Sequence, residues 1–356
     1  MKIGVPKEIK VQEGRVGLIP DACRELISQG HSVFIETGAG LLSGYNDEEY
    51  SQLGVQILDS ARSLYAEADL IVKVKEPVTG DLQYLESRHL LFCFLHLAAD
   101  AELAQKLCDI GLTAVAFETV PDARGGLPIL TPMSEIAGRL AIQLGTHYLH
   151  QPQGGRGILL GGLPLTSRGH VVVLGAGRAG GSAAMLAAAM GAEVTVFDKN
   201  RDRLEDMHRA APNITTRYAY EDNIAKLLTT ADLVVGAVLL PGLHAPRLVT
   251  RDMVKSMHEG SVIVDISIDQ GGCIETIHKT DYLNPTYVEH GVIHFGVTNM
   301  PGAVPRTASQ ALSAMITPYV LRLCEKDWGQ ASDLRQGINI RGGRIDNPVI
   351  EQALTP

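Results

Sequence analysis

The chain has 356 residues, of which 45% are hydrophobic, and this length is enough for two domains of ordinary size. Its formal net charge of -9 argues against a nucleic-acid or anionic-membrane partner, because both require a basic protein surface. The five cysteines are widely spaced without a C-x-x-C pair, so we expect no disulfide framework, no metal site and a reducing, cytoplasmic location.

In the first third of the chain, short apolar runs alternate with amphipathic segments. The opening residues, MKIGVPKE, contain charges and a proline before any apolar core forms, so they do not predict a signal peptide. Residues 21–29 and 101–109 are predicted helices. The predicted strands are residues 3–5, 33–35, 70–74, 90–94 and 115–117. Such alternation is typical of a parallel sheet with helices on its faces.

The sequence changes character at residue 131. The run TPMS at 131–134 predicts the start of a long helix that reaches about residue 150, with Ser134 as its N-cap. Residues 151–169 are rich in glycine and proline and are predicted to be a loop. A second block of predicted strands follows at residues 171–174, 194–197, 233–235, 262–265 and 294–297. Residues 308–326 then predict another long helix.

The strongest local signal is the glycine-rich sequence VVVLGAGRAG at residues 171–180, which joins a buried strand to an alanine-rich helix. Gly175 permits a tight turn, Gly177 lets a pyrophosphate approach the backbone, and Gly180 lets the helix pack close to the strand. The N-terminus of that helix offers N–H groups and a favourable dipole to phosphates. This context predicts a dinucleotide site rather than an ordinary α/β turn.

The next predicted strand is followed by Asp198, at the spacing expected of the carboxylate that binds the adenosine ribose. A carboxylate at this position repels a 2′-phosphate and therefore favours NAD over NADP as the cofactor. Arg201 and Arg203 follow closely, and they are as consistent with solvated charges at a helix start as with cofactor contacts. We keep Arg203 as a candidate cofactor ligand.

These elements predict an α/β fold of two Rossmann-like domains with parallel sheets, long connecting helices and a cleft between the domains. Residues 131–304 would form the NAD-binding domain. Residues 305–356 are too few to fold alone, so we expect them to return to residues 1–130 and complete a discontinuous substrate domain.

Blocks along nearly the whole chain closely resemble the alanine dehydrogenase family, and transhydrogenase α-subunits share a weaker version of the first. The blocks are IGVPKEIK at 3–10 followed by Glu13, Arg15, Val16 and Pro20, VKVKEP at 72–77, LHLA at 95–98, PMSEIAG at 132–138, DISIDQGG at 265–272 and NMPGAVPRT at 299–307. The resemblance implies NAD-dependent oxidative deamination of L-alanine to pyruvate and ammonia, the reverse reductive amination, and a homo-oligomer, often a hexamer.

Three side chains suit a small 2-oxo acid, which needs fixed positive charge for its carboxylate and a proton donor near its carbonyl oxygen. Arg15 offers a planar guanidinium, Lys75 a point charge, and His96 an imidazole that titrates near neutrality. Each alone has a structural alternative: a surface arginine paired with Glu13, a loop charge beside Glu76, and a satisfied core histidine. The resemblance implies that Arg15 and Lys75 hold the substrate and that His96 is the catalytic acid–base.

The second domain supplies further candidates through the same resemblance. It implies that Asp269 handles water or ammonia, whereas the residues alone favour a turn-capping role equally. Asp265 is the last residue of the predicted strand at 262–265 and is expected to have a structural role. Phe94 occupies a position where some relatives carry tyrosine. The family positions near the nicotinamide end of the cofactor are Ser134, Ile266, Ser267, Asn299 and Met300.

Three other functions stay open at this point. A transhydrogenase-like NAD(H)-binding subunit would pass hydride to a partner protein and would not need Lys75 and His96. A dehydrogenase for another amino acid, such as saccharopine or lysine, would differ in pocket size. A non-catalytic NAD sensor or scaffold would have no use for an intact set of Arg15, Lys75, His96 and Asp269. In the favoured interpretation the partners are small molecules: L-alanine, pyruvate and ammonia.

Overall fold

The structure is a computed structural model that describes residues 1–238 and 245–354. It divides into two compact units, one formed by Met1–Met133 with Gly302–Pro356 and the other by Ser134–Pro301. The last two residues of the predicted segment 305–356 lie outside the described residues. Within the part of the chain that is described, no helix is both long enough and apolar enough to cross a membrane.

Strands and helices alternate along the described chain. The strands are β1 (Lys2–Val5), β2 (Ser32–Glu36), β3 (Gln56–Leu58), β4 (Leu70–Val72), β5 (Leu90–Cys93), β6 (Thr113–Ala116), β7 (His170–Leu174), β8 (Glu193–Asp198), β9 (Ile214–Tyr218), β10 (Leu233–Gly236), β11 (Val262–Asp265), β12 (Thr286–Glu289), β13 (Val292–Phe295), β14 (Ile338–Arg341) and β15 (Arg344–Ile345). The helices are α1 (Pro20–Ser28), α2 (Asp47–Ser51), α3 (Ala61–Glu67), α4 (Thr79–Leu82), α5 (Ala101–Ile110), α6 (Thr131–Tyr148), α7 (Arg178–Ala189), α8 (Arg201–Ala210), α9 (Glu221–Leu228), α10 (Arg251–Lys255), α11 (Pro305–Leu323), α12 (Ser332–Gln336) and α13 (Pro348–Leu354).

The sheet of the first unit has the strand order β15-β14-β6-β5-β4-β1-β2-β3. Strands β1 to β6 pair in parallel, whereas β14 and β15 add antiparallel pairs at one edge. From β1 the chain first builds outward through β2 and β3 and then returns to β4 on the other side. The gap between β1 and β4 is therefore a topological switch point, where α/β sheets bind ligands beyond the carboxyl ends of the strands.

The sheet of the second unit has the order β12-β13-β11-β10-β7-β8-β9. All of its pairs are parallel except β12 with β13. Here the switch point lies between β7 and β10, and β7 is the strand that enters the glycine-rich turn. The predicted α/β fold with two Rossmann-like sheets is confirmed, and the sheets are mixed at their edges rather than wholly parallel.

Apolar side chains fill the space between each sheet and its helices. In the first unit Leu91 on β5 and Leu107 on α5 belong to one buried cluster. In the second unit Val234 on β10 and Leu228 on α9 belong to another. The predicted strands are apolar along their length because parallel strands covered by helices are buried on both faces.

Helix α6 begins at Thr131, so the prediction that Ser134 is its N-cap is wrong. Pro132 stands in the first turn, where its missing N–H is not needed by the helix, and the helix therefore starts before the serine. Further along α6, a Cβ on Gly138 would lie 2.0 Å from the carbonyl oxygen of Ala179 on α7. The glycine allows the two helices to pack closely in the second unit.

Candidate active site

Arg15 follows β1 and is almost completely buried, with 2% of its side chain exposed. Its Nε donates to Glu13 Oε1 at 2.7 Å, and its Nη2 donates to Glu13 Oε2 at 2.5 Å. Its Nη1 lies 3.2 Å from the sulfur of Met133. The pairing with Glu13 is present, but the alternative of a surface arginine is wrong. The buried carboxylate instead fixes the plane of the guanidinium.

Helix α11 supports the segment that carries Arg15. The backbone N–H of Val16 donates to Ser309 Oγ at 3.0 Å, and that of Ile19 donates to Ser313 Oγ at 3.0 Å. Both serines are fully buried on α11. Helix α11 thus helps to fix the position of the segment between β1 and α1.

Lys75 follows β4 and is half-buried at the switch point of the first unit. The backbone N–H of the preceding Val74 donates to Glu8 Oε1 at 2.6 Å, and the N–H of Lys75 lies 3.4 Å from the same oxygen. Glu8 belongs to the segment after β1, so its carboxylate joins the two strand ends that flank the switch point. This bond sets the path of the backbone at Lys75.

The ammonium group of Lys73, two residues before Lys75, is buried. Lys73 Nζ lies 3.3 Å from Glu8 Oε2 and 3.3 Å from Asp81 Oδ1, and the Tyr65 hydroxyl donates to the same Asp81 oxygen at 3.0 Å. Burial lowers the pKa of Lys73, but attraction to Glu8 and Asp81 outweighs burial and raises it. Burial raises the pKa of Glu8, and Lys73 offsets part of that rise. The ammonium therefore remains charged and holds both carboxylates.

We expect Tyr65→Phe to lower the free energy of unfolding by about 1.5–3 kcal/mol, because it removes a hydrogen bond to a buried charged acceptor. Tyr50→Phe is the matched control, since its equally buried hydroxyl donates at 2.9 Å to the neutral carbonyl of Leu18. It should cost only about 0.5–1.5 kcal/mol. Urea unfolding of both variants measures the difference. Equal losses would contradict a charged network around Lys73.

His96 follows β5 in the left-handed backbone region, with φ 52°. Its N–H donates to Glu118 Oε1 at 2.6 Å, and this bond supports a conformation that non-glycine residues rarely adopt. Its ring stacks on Phe94 with centroids 5.7 Å apart, and its Nδ1 lies 3.3 Å from Glu76 Oε2. Because 47% of its side chain is exposed, the alternative of a core histidine is wrong.

Sequence reasoning missed four side chains of this region: Glu8, Lys73, Glu76 and Glu118. The first three lie inside the blocks at 3–10 and 72–77, where only Lys75 was assigned a role. Glu118 follows β6 just as His96 follows β5, so its position after a predicted strand was the available signal. Without the strand order, the sequence does not distinguish charged side chains that form buried hydrogen bonds from those that face solvent.

Lys75 and His96 lie at the carboxyl-terminal edge of the first sheet, and Arg15 lies in the segment between β1 and α1. Arg15, Lys75 and His96 follow β1, β4 and β5, which are neighbours in the sheet and run in the same direction. A guanidinium, an ammonium and an imidazole that follow neighbouring strands can bind a carboxylate and exchange a proton with a nearby oxygen or nitrogen.

The glycine-rich turn of the second unit has the geometry that the sequence predicts. Gly175 has φ 104°, and a Cβ there would lie 2.5 Å from the carbonyl oxygen of Ala237. A Cβ on Gly180 would lie 1.8 Å from the carbonyl oxygen of Gly175. At Gly177 the nearest atom to a Cβ is Arg203 Nη1 at 3.9 Å, so space is left beside the N-terminus of α7.

Asp198 lies at the end of β8 beside this turn. Its Oδ2 accepts from the N–H of Ala176 at 2.6 Å, and its Oδ1 accepts from the N–H of Asn200 at 2.8 Å. Arg203 is mostly exposed, and its Nη1 lies 4.0 Å from Asp198 Oδ2. A dinucleotide site combines a glycine turn and a helix N-terminus, which bind the pyrophosphate, with a carboxylate that accepts hydrogen bonds from the ribose. These residues therefore fit such a cofactor.

Asp265 and Asp269 have different environments. Asp265 is buried, accepts from the N–H groups of Ser267 at 2.8 Å and Cys273 at 2.7 Å, and caps the 3₁₀ helix Ile266–Gln270. Burial raises its pKa to about 6, although these backbone bonds lower it. Asp269 is exposed inside that helix, so the alternative that it caps the turn is wrong. Asp265 has the structural role expected of it.

The remaining cofactor candidates lie in three segments of the second unit. Ser134 is in the first turn of α6, and Ser267 Oγ accepts from the N–H of Val238 at 2.9 Å. Asn299 has φ 57°, and the carbonyl of Met300 accepts from the Tyr282 hydroxyl at 3.0 Å. Ile266 opens the 3₁₀ helix after β11. Among residues 1–238 and 245–354, no group of three or more His, Cys, Asp or Glu is arranged to hold a metal ion.

Two family models match nearly the whole chain. The one described as "Alanine dehydrogenase/PNT, N-terminal domain" matches residues 4–137, and the one described as "Alanine dehydrogenase/PNT, C-terminal domain" matches residues 141–348. An alanine dehydrogenase of Bacillus subtilis is 47% identical over an alignment of 360 positions that covers 99% of this chain and 95% of the relative.

Two solved structures are similar over the same length. An L-alanine dehydrogenase superposes with a TM-score of 0.96 at 46% identity and covers 99% of both chains. A transhydrogenase from Sinorhizobium meliloti superposes with a TM-score of 0.85 at 25% identity, covering 98% of this chain and 99% of that one. The similarity is higher to the first structure in both measures.

Proposed function

The chain belongs to the alanine dehydrogenase/PNT family, and from this premise we propose that it oxidises L-alanine to pyruvate and ammonia and catalyses the reverse reductive amination. The observation that carries the proposal is the position of Lys75 and His96 just after the neighbouring strands β4 and β5, with the buried guanidinium of Arg15 in the segment after β1. The L-alanine dehydrogenase structure is 46% identical with a TM-score of 0.96, against 25% and 0.85 for the transhydrogenase, and this difference supports an alanine dehydrogenase rather than a transhydrogenase-like subunit.

In this proposal Arg15 and Lys75 hold the carboxylate of the amino acid. Two guanidinium nitrogens of Arg15 are already engaged by Glu13, so its plane is fixed before substrate binds. Lys75 adds a second positive charge after the adjacent strand, on a backbone set by Glu8. Fixed charge costs little reorganisation at the moment of binding.

A nicotinamide dinucleotide bound at Gly175, Gly177, Gly180 and Asp198 supplies the hydride acceptor and, when reduced, the hydride donor. We propose that Ser134, Arg203, Ile266, Ser267, Asn299 and Met300 contribute further contacts to it. The carboxylate of Asp198 favours NAD over NADP, because a 2′-phosphate would be repelled there. A higher kcat/KM with NADP than with NAD would contradict this assignment.

Proton transfer is assigned to His96. Loss of hydride from Cα of alanine with a neutral amine leaves a protonated imine, and water adds to its carbon. His96 accepts a proton from that water and passes it to the nitrogen. The C–N bond of the carbinolamine then breaks, ammonia leaves with the electron pair, and His96 accepts the hydroxyl proton as the carbonyl of pyruvate forms. Asp269 assists with water or ammonia, as the family resemblance implies.

One spectrophotometric experiment tests the proposed reaction. The purified chain is mixed with NAD and L-alanine, L-lysine, saccharopine or no amino acid, and NADH absorbance is followed. We expect turnover with L-alanine and little with the larger amino acids. Preferred turnover of lysine or saccharopine would assign a different substrate, and absence of any turnover would leave a nucleotide-binding protein.

We also propose a homo-oligomer, a hexamer by family resemblance, in the cytoplasm. The five cysteines are all free thiols, which is the usual state in a reducing compartment. Light scattering on the eluting protein measures the oligomer directly, and a monomer would contradict the proposal.

A further inference from the structure

A carboxylate from the neighbouring strand end contacts the ring of His96. Glu76 follows Lys75 after β4, and its Oε2 lies 3.3 Å from His96 Nδ1. Its other oxygen, Oε1, accepts a hydrogen bond from Lys10 Nζ in the segment after β1. Glu76 thus connects the segments that follow β1, β4 and β5.

The contact between Glu76 and His96 is part of an ordered, mostly buried arrangement and is not an exposed surface pair. Only 16% of the Glu76 side chain is exposed. The His96 ring is stacked on Phe94 with 21° between the planes, and Glu118 holds the His96 backbone N–H. The ring therefore has a stacking partner, a fixed backbone and a hydrogen-bonding partner at one nitrogen.

We propose that Glu76 is a positioning residue whose carboxylate accepts a hydrogen bond from His96 Nδ1–H and so leaves Nε2 to exchange protons with the substrate. A hydrogen bond at one imidazole nitrogen fixes which tautomer is present and which way the ring faces. The catalytic role of Glu76 rests on the proposed function. The tautomer of His96 does not, because it is a property of the protein without substrate.

The charges around Glu76 support the role. Burial raises the pKa of Glu76, but hydrogen bonds from His96 and Lys10 together with the charge of Lys75 outweigh burial and hold the pKa well below its usual value. Glu76 is therefore ionised at neutral pH, and a carboxylate beside Nδ1 stabilises the protonated ring. The facing charged groups are Lys10, Lys75 and His96, with Glu118 at the His96 backbone.

The test is Glu76→Gln. We expect kcat for alanine oxidation to fall about 100-fold, because the wrong tautomer becomes populated. The KM for L-alanine and the Kd for NADH should change less than about threefold. The pH profile of kcat/KM should differ from that of the wild type, because the His96 ring loses its carboxylate partner.

Glu86→Gln is the matched control. Glu86 is an exposed carboxylate of the same unit that pairs with Arg88 at 2.8 Å, and its loss should leave kcat and the pH profile unchanged. A folded Glu76→Gln enzyme with the kcat and pH profile of the wild type would overturn the proposal, as would the same losses in Glu86→Gln.

A second measurement does not depend on activity or on the variant's folding. Ring-nitrogen chemical shifts of labelled histidine in the wild-type protein report the tautomer of His96. We expect a protonated Nδ1 and an unprotonated Nε2 above the titration range, and the opposite tautomer would overturn the proposal. Absence of turnover in the wild type would instead count against the proposed function and leave this result interpretable.

Discussion

His96→Gln is expected to lower kcat for alanine oxidation by about 100- to 10,000-fold, the usual contribution of a positioned general acid–base. The imidazole is 47% exposed, lies after β5 beside the strand end that carries Lys75, and contacts Phe94 and Glu76. Glutamine keeps a polar side chain of similar size, but it cannot accept and return a proton near neutral pH. Steady-state kinetics in both directions measure the effect.

The binding of NADH should survive this substitution, because the dinucleotide residues belong to the other unit. Fluorescence titration with NADH therefore distinguishes a lost proton-transfer group from a misfolded protein. His31→Gln serves as the control, since His31 precedes β2 at the opposite, amino-terminal edge of the same sheet. Near-normal turnover of His96→Gln would remove His96 from the mechanism.

The alternating pattern of the sequence predicts most of the parallel strands, and the structure explains why. Strands such as β7 and β10 are buried on both faces, so their residues are continuously apolar and easily recognised. The glycine-rich turn is equally predictable, because Gly175 and Gly180 occupy positions that a Cβ would fill. These features depend on local chemistry and need no knowledge of the sheet order.

Edge strands were not predicted. β9 has a half-exposed pattern, and β14 and β15 are short strands in the tail that add antiparallel pairs beside β6. β14 is stabilised by pairing with β6, which is distant in the sequence, and β15 pairs in turn with β14, so the local pattern is weak. The antiparallel edges of both sheets therefore appear only in the structure.

The buried charges of the site were the hardest to predict. Lys73, Glu8 and Asp81 would each be expected on the surface, because charged residues are rarely buried unless they are paired. Their pairing is possible only because β1 and β4 are neighbours across the switch point. A sequence gives the residues of such a network, but the strand order that brings them together comes from the fold.

The glycine-rich turn allows the second large-effect prediction. Gly180→Ala should weaken NADH binding by about 100-fold and abolish most activity. A Cβ there would lie 1.8 Å from the carbonyl oxygen of Gly175 and 3.2 Å from the Cβ of Ala237. Backbone cannot move aside as a flexible side chain does, so α7 must shift away from β7. A displacement of about 1 Å at a binding group is enough for a loss of this size.

Gly181→Ala is the matched control on the same helix. Its Cβ would meet the Cε of Met207 at 3.5 Å, the Sδ of Met207 at 3.6 Å and the carbonyl oxygen of Ala176 at 3.9 Å, which are ordinary contacts, so NADH affinity should be unchanged. Alanine in place of glycine within a helix should also stabilise the protein by about 0.5–1 kcal/mol. NADH titration and thermal unfolding of the two variants give the comparison. If Gly180→Ala bound NADH as tightly as Gly181→Ala, close packing of α7 on the turn would not be what forms the dinucleotide site.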